Sequence, residues 1–266
     1  FVMNKILKKI EFSSLVTGFV VEAPEVARSC RAGHFVIVRT GKKGERIPLT
    51  IADSDKEAGT ILIIIQRVGI STNKLCDLSE GDYITDLVGP LGQSTHVADF
   101  GTVVCACGGV GAAPMLPISK ALKKAGNKII VILAARTKEL IILEEQFRQF
   151  ADEVLIYTDD GSYGIKGLVT NGVEDVIKRE KVDRVEAIGP AVMMKFVSLL
   201  TKQYDIPTEV SLNTIMVDGT GMCGACRITV DGQTKFVCVD GPEFDGHKVD
   251  FDEMMMRLSY RPDPVS

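Results

Sequence analysis

The chain has 266 residues, 45% hydrophobic and 25% charged, a balance that excludes extended disorder and suits about two domains of ordinary size. With 31 basic and 35 acidic residues the net charge is -4, which excludes the electrostatic footprint of a nucleic-acid or anionic-membrane binder. No apolar run reaches the roughly 18 residues of a membrane span, FVMNKILKKIEF has no signal-peptide core, and seven cysteines point to thiol ligands in a reducing, cytoplasmic setting rather than to disulfides.

From Lys5 to Val97, the runs Val16 to Val21, Phe35 to Val38, Thr60 to Gln66 and Tyr83 to Leu87 are separated by Gly, Pro, Asp and Ser clusters. This spacing predicts an antiparallel barrel or sandwich over residues 1–98, with one helix at Ser71 to Leu78 capped by Ser71 or Thr72. Arg46-Ile47-Pro48-Leu49-Thr50 offers a guanidinium for a phosphate and a hydroxyl. Gly69, Ser71 and Thr72 open the helix, whose N-terminus suits a diphosphate. Read alone, Arg46 is a solvated surface charge.

The texture changes at Gly101. Thr102 to Ala106, Lys128 to Ala135, Glu153 to Tyr157, Arg184 to Ile188 and Thr208 to Leu212 are apolar runs. They alternate with helical periodicity at Pro114 to Ala125, Glu139 to Ala151, Leu168 to Arg179 and Ala191 to Gln203. The alternation predicts right-handed crossovers and a doubly wound parallel sheet over 99–212. Gly108-Gly109-Val110-Gly111-Ala112-Ala113-Pro114 lies between a strand and a helix, where Gly111 leaves room for a pyrophosphate. No acidic residue follows about 20 positions on, as a Rossmann dehydrogenase would have; Arg136 stands at the next strand end for a ribose or phosphate. Gly189, Pro190 and Met193 follow a later strand on the same sheet edge, where ligands of open α/β sheets bind. The bland alternative makes both loops only tight turns.

Beyond Asn213, RITVDGQTKFVC reads as two short strands joined by an Asp231-Gly232 hairpin turn. Asp218, Cys223, Cys226 and Cys238 have the spacing D-x4-C-x2-C-x11-C, that of plant-type 2Fe-2S sites with a carboxylate in the first place. Zinc is the alternative, although zinc sites usually show two short-spaced pairs, and an Asp before Gly is also a turn former. Residues 213–248 form the expected cluster domain, and 249–266 a Met-rich helix and open tail. Cys30, Cys76, Cys105 and Cys107 read as small core residues.

In this order the motifs resemble the ferredoxin-NADP reductase superfamily over nearly the whole chain. In that superfamily a β-barrel binds FAD through an R-x-Y/P-S/T motif, and an α/β domain binds the pyridine nucleotide through GG-x-G-x-AP and GP-x-x-M loops. The resemblance implies FAD contacts from Arg46, Ile47, Pro48, Leu49, Thr50, Ile63, Ile65, Gly69, Ser71 and Thr72. It implies NAD(H) contacts from Gly108, Gly109, Val110, Gly111, Ala112, Pro114, Arg136, Asp159, Gly189, Pro190 and Met193. Two departures stand out: Pro48 and Leu49 occupy places where many members have Tyr and Ser, and Ile188 replaces a cysteine frequent before Gly-Pro.

The C-terminal cysteines narrow the resemblance to electron-transfer subunits like that of NAD-dependent dihydroorotate dehydrogenase, which carry four cysteines. Asp218 in the first place is similar to the small subunits of electron-bifurcating NADH-dependent ferredoxin:NADP oxidoreductases, the first expectation, with the dihydroorotate reading second. Either implies a path from NADH through FAD and a 2Fe-2S cluster to a partner, since a flavin links two-electron hydride transfer to one-electron chemistry. The chain has no C-x2-C-x2-C-x3-C run for 4Fe-4S clusters and no second flavin motif. It is therefore expected to need a larger flavin and iron–sulfur subunit for ferredoxin and NADP. A cluster-bearing binding or redox-sensing module is the non-enzymatic alternative, and it would lack flavin absorbance.

Overall fold

The computed structural model describes residues 4–41 and 44–259. β1 (Asn4–Ser13) and β2 (Val16–Glu22) form a hairpin, and α1 (Pro24–Ser29) leads into β3 (Phe35–Arg39), β4 (Ile47–Asp55) and β5 (Thr60–Gln66). After α2 (Ile70–Cys76) come β6 (Tyr83–Ile84) and β7 (Asp86–Leu91). The sheet order is β6-β1-β2-β5-β4-β3-β7, and every pairing is antiparallel. Only Thr85 separates β6 from β7, the two ends of that order, so the sheet curls until its edges nearly meet. Alternate residues such as Ile6, Phe19, Val36, Val38 and Ile61 fill the interior.

The barrel expectation therefore holds, with local corrections. α1 is an addition: Pro24 sits in its first turn, where the missing N–H costs nothing. The run 83–87 breaks at Thr85 into two strands. At the start of α2 the cap position is Gly69, and the Thr72 hydroxyl accepts from the N–H groups of Val68 and Gly69, both at 3.0 Å. Ser71 turns outward instead, donating to Glu45 Oε2 at 2.6 Å.

The second unit runs β8 (Thr102–Gly108), α3 (Ala112–Lys124), β9 (Lys128–Ala135), α4 (Glu144–Arg148), β10 (Glu153–Thr158), β11 (Ile165–Lys166) and α5 (Val169–Arg179). β12 (Arg184–Ile188), α6 (Ala191–Gln203) and β13 (Thr208–Ser211) complete it. The C-terminal segment adds the hairpin β14 (Arg227–Val230) and β15 (Gln233–Phe236), then α7 (Val237–Asp240), β16 (Glu243–Asp245) and α8 (Phe251–Ser259). The large sheet has the order β11-β10-β9-β8-β12-β13-β16. The chain leaves β8 toward β9 and later returns to β12 on its other side, which makes the C-terminal ends of β8 and β12 the switch point where such sheets bind ligands.

Three differences from expectation have physical causes. β16 pairs antiparallel with β13, so the sheet is mixed, and a strand from residues assigned to the cluster segment closes its edge. The helix expected at Glu139 to Ala151 shrinks to α4, because Ile141 and Ile142 pack in the core and Leu143 takes a left-handed φ of 62°. Cys238 lies in α7, two residues beyond the end of β15, the strand expected to carry it. The Asp231-Gly232 turn is as expected, with φ values of 52° and 72°. The tail after Ser259 lies outside the described residues. Among the described residues no helix is long and apolar enough to cross a membrane.

The segment joining barrel to sheet is fastened to the C-terminal arm. Gln93 donates from its main-chain N–H to Gly241 O at 2.6 Å and from its amide to Val239 O at 2.9 Å, and the Thr95 hydroxyl donates to Glu243 Oε1 at 2.7 Å. Beneath it Arg184 donates to Glu186 at 2.6 Å and to Glu209 at 2.8 Å. Burial outweighs the pull of Arg184 and pushes the Glu186 carboxyl up to about 8 from an ordinary 4.5. A carboxyl that keeps its proton higher in the folded chain favours folding below the unfolded value and loses that contribution as pH rises through the folded one. Denaturant midpoints from about pH 5 to about pH 9 should thus decline more steeply for the wild type than for Glu186→Gln. Parallel curves would clear Glu186 of any part.

Candidate functional site

β3 and β4 pair in simple register, Phe35 opposite Thr50 and Ile37 opposite Pro48. Strand alternation sorts the RIPLT motif. Ile47 and Leu49 pack toward the barrel interior, which removes their side chains from a ligand role, while Arg46, Pro48 and Thr50 share the outer face with Phe35 and Ile37. Arg46 Nε is buried with no hydrogen-bond partner. Such an unmet donor costs on the order of 1–3 kcal/mol unless an acceptor faces it, and a diphosphate oxygen is a suitable acceptor. The Ser71–Glu45 bond places the start of α2 beside this segment, and the space in front of Gly69 is open.

Ile63 and Ile65 are corrected outright: at 0% and 1% exposure inside the barrel they present nothing to a ligand. The opposite parity of β5 carries Leu62 and Ile64, which pack against the α/β unit, and ends at half-buried Gln66.

The two glycine loops meet at the switch point. A Cβ on Gly108 would lie 2.4 Å from Met193 Sδ, and one on Gly189 3.0 Å from Gly108 Cα. A Cβ on Gly111 would lie 2.2 Å from the Ile188 carbonyl oxygen. Gly111 thus lets α3 pack on β12, and the expectation that it makes room for a pyrophosphate is corrected. Ala112 is buried too, its N–H bonded to Gly109 O and Val110 O. Gly109 differs: its φ is +53° and a Cβ would meet nothing within 4 Å. Val110, Pro114 and Met193 are half-buried around it and Pro190 is exposed. Arg136 and Asp159 are exposed at adjacent strand ends, linked by the Asp159 N–H to Ala135 O bond of 3.1 Å. The positions around Gly109 and at these strand ends lie at the edge where open α/β sheets bind ligands, and Gly109 leaves open space there.

The cysteine loop sits directly on the barrel. A Cβ on Gly219 would lie 2.6 Å from Ile37 Cδ1 and 2.7 Å from Leu91 Cδ1. Ile37 pairs with Pro48 through its main chain and meets the loop with its side chain, so one strand spacing of about 4.8 Å separates the RIPLT ladder from the strand that carries the loop. Asp218 Oδ1 accepts from the Thr220 N–H and Oδ2 from the Cys223 N–H, both at 2.9 Å. These bonds, that of Thr220 foremost, hold its carboxyl below the usual range. Cys226 Sγ lies 3.2 Å from Cys238 Sγ in the interior. Burial, then the Cys226 thiol, pushes Cys238 up to about 12.

Among the described residues no three Cys, His, Asp or Glu side chains converge on one point. The four donors form two pairs instead, Asp218 beside Cys223 and Cys226 beside Cys238. Tetrahedral zinc needs four donors around a single centre, whereas a 2Fe-2S cluster takes its ligands in pairs, one pair on each iron. The donor set fits the cluster. Cys30, Cys76, Cys105 and Cys107 are buried elsewhere, and burial raises the thiols of Cys76, Cys105 and Cys107.

A curled antiparallel barrel, a doubly wound sheet and a cysteine loop docked between them define a multi-domain oxidoreductase of the ferredoxin-NADP reductase type. Residues 213–250 match the family of the iron–sulfur cluster binding domain of dihydroorotate dehydrogenase B. Over 257 residues the chain is 48% identical to a Thermotoga maritima protein named dihydroorotate dehydrogenase B (NAD(+)), electron transfer subunit homolog, covering 97% of this chain and 91% of that one. A dihydroorotate dehydrogenase B (NAD(+)) electron transfer subunit of Desulforamulus reducens is 34% identical over 236 residues, covering 86% and 90%. The chain belongs to this family of electron transfer subunits and their homologues. It also superposes on a solved structure of NADH-dependent reduced ferredoxin-NADP oxidoreductase, described for flavin-based electron bifurcation. That match has a TM-score of 0.93 and 47% identity and covers 98% of this chain and 95% of that one.

Proposed function

We propose that the chain is the electron-transfer subunit of an electron-bifurcating NADH-dependent ferredoxin:NADP oxidoreductase, passing electrons between NAD(H), FAD and a 2Fe-2S cluster. The observation that carries this is the contact of Gly219 with Ile37, which places the cysteine loop against the strand paired with the RIPLT motif. When bound, FAD exchanges hydride with nicotinamide and single electrons with an iron–sulfur cluster. Arg46 and Thr50 would hold the FAD diphosphate, with Gly69, Ser71 and Thr72 beside them. Gly109, Val110, Pro114, Arg136, Asp159, Pro190 and Met193 would hold NAD(H), and Asp218, Cys223, Cys226 and Cys238 the cluster. Phe35 and Ile37 are buried on the face shared with Pro48 and Thr50 and would exclude water between FAD and the cluster.

The partner is a larger subunit with its own flavin and 4Fe-4S clusters, acting on ferredoxin and NADP in the cytoplasm. Its docking is supported by an apolar rim: Met222, 88% exposed in the loop between Asp218 and Cys223, with exposed Val217 and Val239. The names of the curated relatives favour a second reading, electron transfer for dihydroorotate oxidation. Co-purification decides between them. A large flavin and iron–sulfur partner with ferredoxin-dependent NADP reduction supports the first reading, and a dihydroorotate-oxidising partner the second. Protein with zinc and no flavin absorbance would defeat both.

Arg46→Ala is expected to weaken FAD binding about tenfold or more, by loss of the charge-assisted bond to the diphosphate. Flavin content after gel filtration and affinity on reconstitution read this out. Unchanged affinity would return Arg46 to the role of a surface charge.

A further inference from the structure

The two residues between Cys223 and Cys226 present their carbonyls to guanidinium groups from different elements. Gly224 O accepts twice from Arg227 at the base of the hairpin, from Nη1 at 3.1 Å and from the main-chain N–H at 3.3 Å. Ala225 O accepts from Arg257 Nη2, also at 3.1 Å, from the last turn of α8. A trans peptide directs its C=O and N–H to opposite sides. A carbonyl held outward therefore turns the next residue's N–H inward. The Gly224 carbonyl shares its peptide with the Ala225 N–H, which points at Cys223 Sγ at 3.5 Å. The Ala225 carbonyl shares its peptide with the Cys226 N–H.

Arg257 is delivered by a helix anchored outside the loop. Phe251 and Met254 of α8 are buried in the core that also contains Cys226 and Cys238. Asp252 pairs with Lys195 of α6 at 2.6 Å. Both arginines line one recess, with Thr214, Ile228 and Met254, and none of its lining residues is acidic. N–H groups aimed at ligand sulfurs stabilise added negative charge and tune a cluster's potential, and a guanidinium on the same peptide's carbonyl polarises that N–H further.

We propose that Arg227 and Arg257 are positioning residues of the cluster site, fixing the Cys223–Cys226 peptides with their N–H groups toward sulfur and so setting the potential and retention of the cluster. The proposal rests on Asp218, Cys223, Cys226 and Cys238 being the ligands. The full chain is prepared as wild type, Arg257→Met, Arg257→Lys and Arg227→Met; methionine keeps an apolar stem and removes the donors. EPR-monitored redox titration, iron release to a chelator and flavin content are measured on each. Arg257→Met and Arg227→Met should shift the cluster to a more negative potential and release iron severalfold faster, with flavin content unchanged. Arg257→Lys should recover most of both. A wild type without the EPR signal of a reduced 2Fe-2S cluster would defeat the ligand assignment itself. A wild type with that signal, but Met variants with unmoved potential and iron release, would overturn the positioning role alone, even if their thermal stability fell. If Arg257→Met does not accumulate, Arg227→Met, on the exposed hairpin, decides the matter.

Discussion

Gly111→Val is expected to abolish accumulation of folded protein, whereas Gly109→Ala should give a folded flavoprotein that has lost affinity for NADH. At position 111 the added Cβ would lie 2.2 Å from the Ile188 carbonyl oxygen and 3.1 Å from the Gly189 main-chain nitrogen. No rotamer relieves a clash between backbone and Cβ, so α3 and β12 must separate. Both lie in the central layers of the α/β unit, so the cost falls in the exceptional range of roughly 4 kcal/mol or more. At position 109 the surroundings are open and the penalty is the left-handed φ of +53°, about 1 kcal/mol for alanine. That methyl group projects where the nucleotide would approach the end of β8. KM for NADH with an artificial acceptor should therefore rise about tenfold or more, equivalent to about 1.4 kcal/mol, at unchanged flavin and iron content. Soluble yield and thermal unfolding read the first variant, and steady-state kinetics the second. Stable Gly111→Val protein with normal NADH oxidation would refute the packing account of this loop.

This pair shows where sequence reading reaches its limit. Strand-loop-helix context and glycine spacing located the loop, because a phosphate-binding turn and a tight packing turn demand the same residue. They could not separate Gly109 from Gly111, since that depends on β12, which arrives about 80 residues later in the chain and whose Ile188 carbonyl fills the space beside Gly111. The barrel was legible from its β-branched runs and turn residues, yet Ile63 and Ile65 were misassigned because the face of a strand is set by its partners. β16 was invisible for a similar reason: three residues, Glu243–Asp245, carry no period of their own and become a strand only against the edge of β13. Arg257 had no signal at all. A lone arginine in a Met-rich helix reads as solvated charge, and its bond to the Ala225 carbonyl spans 32 residues.

The ligand set can be tested most sharply at Asp218, because the folded loop already uses that carboxylate. Its two oxygens accept from the Thr220 and Cys223 N–H groups, so a role as loop organiser competes with a role as iron ligand. Asp218→Cys separates the two. It removes both acceptor bonds and supplies a thiolate in the first place of a C-x4-C-x2-C-x11-C pattern. If Asp218 is a ligand, this variant should keep a 2Fe-2S cluster with altered potential and EPR anisotropy, since a thiolate is a softer donor of equal formal charge. If Asp218 only organises the loop, Asp218→Cys should lose the cluster as fully as Asp218→Ala. Cys226→Ala and Cys238→Ala should each abolish the cluster, as either change leaves one partner of the buried 3.2 Å thiol pair alone. Two other carboxylates lie near the hairpin. Asp240 accepts from the Phe236 N–H at 2.6 Å, and Asp231 occupies the hairpin tip, five residues, or roughly 16 Å, beyond Cys226. Iron content, EPR of the reduced protein and redox titration across the set decide the question. An Asp218→Ala protein with wild-type spectrum, potential and cluster lifetime would leave the first iron's second protein ligand to be found outside the loop.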